Sequence, residues 1–516
     1  MRITVSHPLR PRRKSLNTAR VADAFGLDVG PPAGGPGTAD DPRAGRLTLA
    51  EDLPVPAGPG LVTLFTGPSG SGKSSLLRAA AARLEAAAVP VVRADELTLP
   101  RVPLADALTD LLPGGFHAAA ALLSKCGLAE PRVLLRTPQE LSDGQRFRFR
   151  LALAAARAGH QCRIEQNEKD GGRGRGVVVC DEFTAVLDRT LARAVAHNVR
   201  RLCDGSGVGF LLATTHEDVT SDLRPDAAIA CRLHAAPALT GPAAAGLTDH
   251  APAAPADPLA GRRPLGPLFA PGDRAGRVSF AGDLFLTTAS RGDWPRFAGW
   301  HYRSRTVGVV RAGALLWHGR HPGDTGETSG SSTEPVGIAL FCSAPLSLRG
   351  RNRYFGTGAR WTAANLKALN AQLVTLSRVV LHPTYRGCGL AAPFVSKACD
   401  HCPFPWVEAL AELGKSHPFL ERAGFARVDA GPGDGRKGSY RQHAALYGAG
   451  GRGKKKPQLS AASHAKSRFA APAYFVRDNR HAPAVAEARA ARRAARAARA
   501  AGVPDSEDLL NKGAGR

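Results

Sequence analysis

The chain has 516 residues, and its 69 Lys and Arg against 44 Asp and Glu give a formal net charge of +25. Hydrophobic residues make up 43% of the sequence, which is enough for two or more packed domains and excludes a wholly disordered chain. No run of about 18 apolar residues occurs, which excludes membrane channels and permeases. The charge favours a polyanionic partner, and the predominance of Arg over Lys leaves codon bias in a GC-rich genome as the other explanation.

Cysteine content and the first residues favour a cytoplasmic protein. The nine Cys are an odd number and follow no apolar signal segment, so reduced thiols are expected rather than a disulfide framework. The first twenty residues are basic and lack acids, as in transit peptides, but Ile3, Thr4 and Val5 form a β-prone run and no Ser-rich amphipathic helix follows. We therefore predict an ordinary strand at 3–5.

Hydrophobic patterning divides the chain into four parts. Residues 1–235 contain a buried strand at 61–65 and then alternate strands with Ala-rich helices, which predicts an α/β domain. Residues 236–275 are rich in Ala, Pro and Gly and indicate a linker, whereas 276–447 resume the alternation. Residues 448–516 are basic and of low complexity, which predicts a tail with one helix that carries Arg along a single face. These are Arg489, Arg492, Arg493, Arg496 and Arg499.

A phosphate-binding loop follows the predicted strand at 61–65. The pattern Gly-x-x-x-x-Gly-Lys-Ser is complete at residues 67–74, and a helix is predicted to begin near Ser75. Glycines let backbone N–H groups surround the phosphates of ATP, Lys73 would contact the β- and γ-phosphates, and the Ser74 hydroxyl would bind Mg²⁺. The predicted ATP-binding residues of this loop are Gly67, Pro68, Ser69, Gly70, Ser71, Gly72, Lys73, Ser74 and Ser75.

Two further buried strands end in side chains suited to ATP hydrolysis. The apolar run at 177–180 is followed by Asp181 and Glu182. Asp181 would bind Mg²⁺ with the nucleotide, directly or through water, and Glu182 would polarise the attacking water. The run at 211–215 is followed by His216, which is placed to contact the γ-phosphate.

The segment Leu141-Ser142-Asp143-Gly144-Gln145 stands before a predicted helix, and with the preceding motifs it resembles the signature loop of the ABC ATPase family. The resemblance covers roughly residues 1–235. It implies an ATP-dependent homodimer that packs head to tail, in which these five residues complete the ATP site of the partner subunit, without a transporter subunit or a membrane. The chain departs from the family because no Gln lies between Lys73 and Gln139, where the family has its Gln loop.

A second glycine-rich loop follows a predicted strand at 374–381. Residues 386–391 match the pattern Arg/Gln-x-x-Gly-x-Gly/Ala, and they resemble the pyrophosphate loop of the GNAT acyltransferase family. A strand at 406–411 and the segment at 417–425 resemble later elements of that family. The resemblance implies a GNAT-like α+β domain at 276–447 that binds acetyl-CoA or another acyl-CoA. The implied binding residues are Val379, Val380, Leu381, Arg386, Gly387, Cys388, Gly389, Leu390 and Ala391.

Both halves in this order resemble a prokaryotic family of ABC-type ATPases fused to a predicted acetyltransferase domain, over most of residues 15–447. The resemblance implies direct transfer, in which an acceptor amine attacks the thioester and strand amides hold its carbonyl oxygen. Candidate acids and bases are His301, Tyr302, Glu408 and His417, each weighed against a structural role. The adjacent His301 and Tyr302 also permit a metal-dependent transfer to adenine, as in some DNA-modifying enzymes with a GNAT-like fold.

Three functions remain open on the sequence. The first is an ATP-gated acyltransferase acting on tRNA, rRNA or DNA, and the second is the same enzyme acting on a protein amine. The third is a nucleic-acid-binding ABC protein whose GNAT-like part does not catalyse. Most of the positive excess lies after residue 230, beside the acyltransferase-like half and the tail, and this favours a nucleic acid as substrate.

Overall fold

A computed structural model describes residues 1–8, 15–17, 20, 24, 46–165, 176–232, 235–240, 259, 261–301, 306–319, 333–345, 348–356, 363–412, 414, 417–428 and 472–500. The chain divides into two compact units. Met1–Val102, Asp110–Leu112 and Thr137–Leu247 belong to the first unit, and Pro103–Thr109, Pro113–Arg136 and Thr248–Arg516 belong to the second. Among the described residues, no helix is both long and apolar enough to cross a bilayer.

The strands, in chain order, are β1 Arg2–Pro8, β2 Arg46–Pro54, β3 Val62–Thr66, β4 Val91–Arg93, β5 Val177–Cys180, β6 Gly209–Thr214, β7 Ala227–Arg232, β8 Ala235–Thr240, β9 Pro264–Pro267, β10 Leu284–Thr288, β11 Val310–His318, β12 Glu334–Ser343, β13 Leu373–Leu381, β14 Trp406–Ala411, β15 Ala426–Val428 and β16 Ala473–Asp478. The α-helices are α1 Lys73–Ala86, α2 Leu104–Thr109, α3 Gly115–Lys125, α4 Pro131–Leu134, α5 Asp143–Glu165, α6 Arg189–Ser206, α7 Thr220–Leu223, α8 Trp294–Ala298, α9 Arg349–Phe355, α10 Ala363–Gln372, α11 Ala391–Asp400, α12 Phe419–Arg422 and α13 Pro483–Ala500. Short 3₁₀ helices span Pro138–Glu140, Glu217–Val219, Pro271–Arg274, Ser279–Asp283, Arg291–Asp293 and Pro383–Tyr385.

The first unit is built on a six-stranded sheet with the order β4-β5-β6-β3-β7-β8. The first five strands of this order are parallel and β8 is antiparallel. All residues of β3, β5 and β6 are buried, as their continuous apolar sequences predict for strands covered on both faces. Because parallel strands end at the same edge, the loops after β3, β4, β5 and β6 meet there.

A separate antiparallel pair, β1 and β2, completes this unit. Ile3 and Val5 of β1 belong to the same buried cluster as Leu76 and Leu77 of α1 and Phe65 of β3. The predicted strand at 3–5 is therefore confirmed, and its apolar side chains cover the helix that follows the phosphate-binding loop.

The second unit is built on an eight-stranded sheet with the order β15-β16-β14-β13-β12-β11-β10-β9. Every neighbouring pair is antiparallel except β13 and β14, which pair in parallel from Leu373 with Trp406 to Thr375 with Glu408. Both strands continue beyond that register, to Leu381 and Ala411. The sheet therefore opens between the carboxyl halves of β13 and β14.

The predicted domain boundaries need correction. The proposed linker 236–275 contains most of β8, which belongs to the first sheet, and all of β9, which belongs to the second. The proposed tail contains β16, which is inserted between β14 and β15, so residues 473–478 are part of the second sheet. Low-complexity flanks hid this strand, whereas the predicted Ala/Arg helix is present as α13. Residues 103–109 and 113–136, assigned to the ATP-binding half, group with the second unit.

Candidate functional site

The phosphate-binding loop connects β3 to α1 in a conformation that requires its glycines. Gly67, Gly70 and Gly72 have φ values of 136°, 81° and 88°, which residues with a Cβ rarely adopt. Lys73, the first residue of α1, is only 8% exposed, and its Nζ donates to the carbonyl oxygens of Gly67 (2.8 Å) and Pro68 (2.7 Å). Burial lowers the pKa of the Lys73 ammonium, while Cys231 and Asp181 oppose that shift. The loop thus encloses a buried cation next to a helix N-terminus, an arrangement that suits phosphates.

Gly67 allows a substitution test with a matched control. A Cβ at Gly67 would lie 2.0 Å from the carbonyl oxygen of Cys231, whereas a Cβ at Gly58 would meet nothing within 4 Å. We expect Gly67→Ala to abolish ATP binding and to destabilise the fold by about 1–3 kcal/mol, because φ and space both oppose a methyl group. Gly58→Ala should change neither property. Fluorescent-nucleotide titration and thermal unfolding measure the two effects, and ATP affinity of the wild-type value in Gly67→Ala would contradict this geometry.

The acidic pair follows β5 at the same edge of the sheet. Glu182 has a φ of 47°, so the chain turns sharply there, and the N–H of Phe183 donates to Ala213 of β6 at 2.7 Å. The N–H of Glu182 donates to the Asp181 carboxylate at 3.0 Å. Asp181 raises the pKa of Lys73, which places its carboxylate within electrostatic range of the phosphate-binding lysine. The predicted magnesium and water-activating residues therefore lie beside the loop.

His216 follows β6, the strand that pairs directly with β5, and its backbone N–H donates to the hydroxyl of Thr214 at 3.1 Å. It directly precedes the 3₁₀ helix Glu217–Val219. β6 lies between β5 and β3 in the sheet, so His216 emerges between the acidic pair and the phosphate-binding loop. The position is the one predicted for a side chain that contacts a γ-phosphate.

The signature segment begins α5 with a reciprocal cap. The Ser142 hydroxyl accepts from the N–H of Gln145 at 3.4 Å, and the Gln145 side-chain oxygen accepts from the N–H of Ser142 at 3.2 Å. Leu141 is 4% exposed and anchors the segment, whereas Ser142 and Asp143 are exposed. A Cβ at Gly144 would lie 3.2 Å from Leu187, so a small residue is needed there. The segment presents an exposed hydroxyl at the start of a long helix.

Sequence reasoning missed Asp95 and Arg150, which lie beside the acidic pair. A carboxylate oxygen of Asp95, in the loop after β4, accepts from the N–H of Asp181 at 2.8 Å. Although the Asp95 side chain remains accessible to solvent, partial desolvation raises its pKa, and the charges of Asp181 and Glu182 add to the shift. The adjacency of β4 and β5 brings Asp95 here, and no local motif marks it.

These residues line a cavity of about 290 Å³ in the first unit. Three acidic residues, Asp95, Asp181 and Glu182, and two arginines of α5, Arg146 and Arg150, are among the residues that line it. Its lining residues are Ala94, Asp95, Asp143, Arg146, Phe147, Arg150, Leu151, Cys180, Asp181, Glu182, Ala185 and Val186. In the described part of the chain, no three His, Cys, Asp or Glu side chains gather closely enough to hold a metal ion.

In the second unit, the glycine-rich loop leads from β13 into α11 as predicted. Gly387 and Gly389 have φ values of 85° and 78°, and Leu390 caps the helix that Ala391 begins. Cys388 is 6% exposed and packs inward. Val380 and Leu381 are buried at the end of β13, and Val379 is half-buried. Gly389 is exposed in this loop, whereas the side chains of Cys388 and Leu390 are buried.

Arg386 turns back onto the protein. Its Nε donates to the carbonyl oxygen of Leu381 at 3.0 Å, its Nη2 donates to that of Trp300 at 3.4 Å, and its Nη1 lies 3.4 Å from a carboxylate oxygen of Glu130. The Arg386 and Glu130 side chains are 12% and 29% exposed. Burial lowers the pKa of the Arg386 guanidinium, and Glu130 opposes the shift. Every nitrogen of the predicted phosphate-binding arginine is thus directed at an acceptor within the second unit.

Glu408 needs correction as a candidate catalytic base. It is completely buried, and its two oxygens accept from Arg351 (2.9 and 2.5 Å), from the Thr375 hydroxyl (2.7 Å) and from the Tyr474 hydroxyl (3.0 Å). Burial raises the pKa of Tyr474, and Glu408 adds to that shift. Four hydrogen bonds leave no lone pair directed toward a substrate, so the residue serves as the centre of a buried ion pair.

The remaining acyl-transfer candidates are not assembled into a site by the described residues. The His301 ring packs edge-on against Trp294, with ring centroids 5.6 Å apart. Tyr302 lies outside the described residues. His417 is half-buried before α12, and burial, Lys125 and Arg422 all lower the pKa of its imidazole. His301 and Tyr302 therefore stay predictions.

Comparison with known proteins supports the interpretation of part of the chain. No protein-family model matches it. The lipoprotein-releasing system ATP-binding protein LolD of Maricaulis maris is 29% identical over 209 residues, which cover 34% of this chain and 83% of LolD. Two solved structures also align with about a third of the chain. The dimeric bacterial ABC transporter cassette MJ0796 is 16% identical over 38% of this chain and 89% of its own, with a TM-score of 0.27.

The second structure is CbiO1 of Clostridium perfringens, part of the CbiONQ ABC transporter complex. It is 17% identical over 36% of this chain and 80% of its own, with a TM-score of 0.26. About a third of the chain is thus similar in sequence to the ATP-binding protein of a lipoprotein-releasing system.

Proposed function

We propose that the chain is an ABC-type ATPase that controls acyl-CoA-dependent N-acyl transfer onto a nucleic acid. The observation that carries the ATPase part is the meeting of the phosphate-binding loop, the acidic pair and His216 at one edge of the first sheet. The donor set fits magnesium-bound ATP, because the loop places a buried ammonium at a helix N-terminus, the Ser74 hydroxyl follows it directly in sequence, and the Asp181 carboxylate lies within electrostatic range of that ammonium. ATP binding at this site does not depend on which molecule accepts the acyl group.

The first unit supplies positioning and proton transfer for hydrolysis. Lys73 would exchange its bonds to the loop carbonyls for bonds to the β- and γ-phosphates. Ser74 and Asp181 would hold Mg²⁺, which would supply positive charge that neutralises the phosphates. Glu182 accepts a proton from the attacking water, and His216 contacts the γ-phosphate. The exposed Ser142 at the start of α5 completes the site of a second copy, which makes the active form a head-to-tail homodimer.

The acyltransferase part is supported by the opening between β13 and β14. Residues 376–381 of β13 continue past the register with β14, and the N–H groups of this stretch are the proposed donors to a thioester carbonyl. The carbonyl oxygens of Ser377 and Leu381 already accept from Arg378 and Arg386. The register of β13 with β12 shifts between Leu376 and Arg378, which turns the strand at this opening. The glycine-rich loop before α11 follows directly and offers N–H groups to a pyrophosphate. An acceptor amine would then attack the thioester carbon and form the amide C–N bond. The C–S bond would break, and the proton lost by the amine would balance the charge of the departing sulfur, so CoA leaves as the free thiol.

A nucleic-acid acceptor is favoured by exposed arginines on α13. Arg489, Arg492 and Arg493 are exposed on this helix, and the side chains of Arg496 and Arg499 lie outside the described residues. A protein amine is the second candidate acceptor, and a non-catalytic nucleic-acid-binding protein is the third function. Binding of tRNA and duplex DNA at increasing salt separates them, because phosphate contacts give an affinity that falls steeply with salt. Salt-independent or absent binding would favour the protein acceptor.

ATP control of acyl transfer is supported by the segment 103–136. In the sequence, this segment lies between the phosphate-binding loop and the signature segment, and both of its ends join residues of the first unit. Most of it, residues 103–109 and 113–136, nevertheless groups with the second unit. Its Glu130 pairs with Arg386 of the glycine-rich loop, and its Lys125 lies close enough to His417 to lower that group's pKa. A movement in the ATP site can therefore reach the acyl-CoA loop through covalent continuity. While the pair is intact, Glu130 withholds Arg386 from phosphates.

Glu130→Gln tests this control. Removing the carboxylate charge should free Arg386 to contact phosphates. We therefore expect the nucleotide-free protein to bind acetyl-CoA about 3- to 10-fold more tightly, which corresponds to the free energy of a partly buried ion pair. Glu487→Gln is the matched control, because it removes an exposed pair with Arg263 elsewhere in the same unit. Calorimetric titration gives both affinities. An unchanged or weaker affinity in Glu130→Gln would contradict the role of Glu130.

A further inference from the structure

We propose that Asp95 is a positioning residue for ATP hydrolysis, which holds the turn that aims Asp181 and Glu182. This inference rests on the ATPase part of the proposed function. Asp95 lies two residues after β4, and β4 pairs in parallel with the strand that carries the acidic pair. The loop after β4 lies in the part of the sequence between Lys73 and Gln139, which contains no Gln. A Gln side chain therefore cannot support the acidic pair from this loop.

The turn after β5 is the feature that needs support. Glu182 and Thr184 both have left-handed φ values, 47° and 65°, which cost free energy for residues with a Cβ. The Asp95 carboxylate accepts the N–H of Asp181 at 2.8 Å, one residue before that turn. A hydrogen bond to a carboxylate is stronger than one to a neutral acceptor. This bond therefore restrains the backbone of Asp181, and with it the orientation of the Asp181 and Glu182 side chains.

Asp95 also connects the acidic pair to the helix of the signature segment. The backbone oxygen of Asp95 lies 3.5 Å from a guanidinium nitrogen of Arg150 in α5. The positive charge of Arg150 acts to lower the pKa of the Asp95 carboxyl, whereas desolvation, which is the larger effect, raises it. Both residues line the 290 Å³ cavity with Asp181 and Glu182. The loop after β4 is therefore fixed on one side to the acidic turn and on the other to α5. Its carboxylate acts through Asp181 and need not touch the nucleotide.

Steady-state ATP hydrolysis by the full chain tests the inference with three variants. Asp95→Ala removes the acceptor, and we expect kcat to fall about 10- to 100-fold with KM for magnesium-bound ATP within about threefold, because positioning acts on the chemical step. Asp95→Asn keeps an oxygen acceptor and should recover part of the loss, to within about fivefold of the wild type. Glu96→Ala, an exposed neighbour that pairs only weakly with Arg93 at 3.8 Å, is the control and should retain the wild-type kcat.

The outcomes separate this inference from the proposed function. A kcat of Asp95→Ala within twofold of the wild type, or an Asn variant as impaired as the Ala variant, overturns the role of Asp95. If the Ala variant does not fold, Asp95→Glu decides, since its longer side chain displaces the carboxylate and should still lower kcat about tenfold. Wild-type kcat in the Glu variant would overturn the inference. Absence of hydrolysis in the wild type would instead overturn the proposed ATPase function.

Discussion

Glu182→Gln is expected to convert the ATPase into a stable, ATP-bound dimer. Glu182 follows β5 directly after Asp181, and its carboxylate is the proposed acceptor of the water proton. Glutamine has the same shape but cannot take that proton, so hydrolysis should fall about 10²- to 10⁴-fold while ATP binding persists. In the proposed head-to-tail dimer the signature segment of a second copy completes each ATP site, so the uncleaved nucleotide should hold two chains together. Phosphate release and light scattering with ATP and Mg²⁺ measure the two effects.

A nearby substitution controls for nonspecific effects. Glu217 is exposed one residue after His216, and Glu217→Gln should leave both the hydrolysis rate and the oligomeric state unchanged. A Glu182→Gln protein that remains monomeric in saturating ATP would contradict the head-to-tail dimer. One that hydrolyses ATP at the wild-type rate would show that another group activates the water.

The second large effect is expected on stability, at Glu408. Glu408→Gln leaves the guanidinium of Arg351, whose side chain is 1% exposed, buried without its charge partner. Breaking a buried ion pair on one side costs about 3–5 kcal/mol, so the second unit should unfold at a markedly lower temperature or denaturant concentration. The substitution also removes the charge that Thr375 and Tyr474 donate to. Thermal unfolding followed by circular dichroism provides the measurement.

The control for Glu408 is again Glu487→Gln, since its pair with Arg263 is 65% and 70% exposed and should contribute less than about 1 kcal/mol. A Glu408→Gln protein as stable as the wild type would show that the buried pair does not support the sheet. If Glu408→Gln kept the wild-type stability but lost acyl transfer, Glu408 would again be a candidate catalytic residue.

The sequence was sufficient where structure and chemistry are local. The phosphate-binding loop is specified by consecutive residues, because three glycines and a lysine determine both its backbone and its charge. The acidic strand and β14 were predicted at the correct residues from short apolar runs. The signature segment also caps its own helix through Ser142 and Gln145, so its position is determined within five residues.

Contacts between distant residues could not be predicted in this way. Glu408 looked like a candidate base because its partners, Arg351 and Tyr474, come from α9 and β16, and β16 was hidden in a low-complexity segment. Asp95 meets Asp181 only because β4 and β5 are neighbours in the sheet. Glu130 and Arg386 are 256 residues apart in the sequence, and no pattern relates them. In each case the packing of strands and helices that are distant in the sequence, which one sequence does not specify, brings the charges together.

Acetyl-CoA binding in two nucleotide states tests the central claim, that the ATP site controls an acyl-CoA site on the same chain. Calorimetric titration would compare the nucleotide-free wild type with Glu182→Gln held in ATP and Mg²⁺. We expect acetyl-CoA to bind in both states, with an affinity at least about fivefold higher in the ATP-held form, since a coupling of about 1 kcal/mol is typical between linked sites. Equal affinities in the two states, or no acetyl-CoA binding in either, would contradict it.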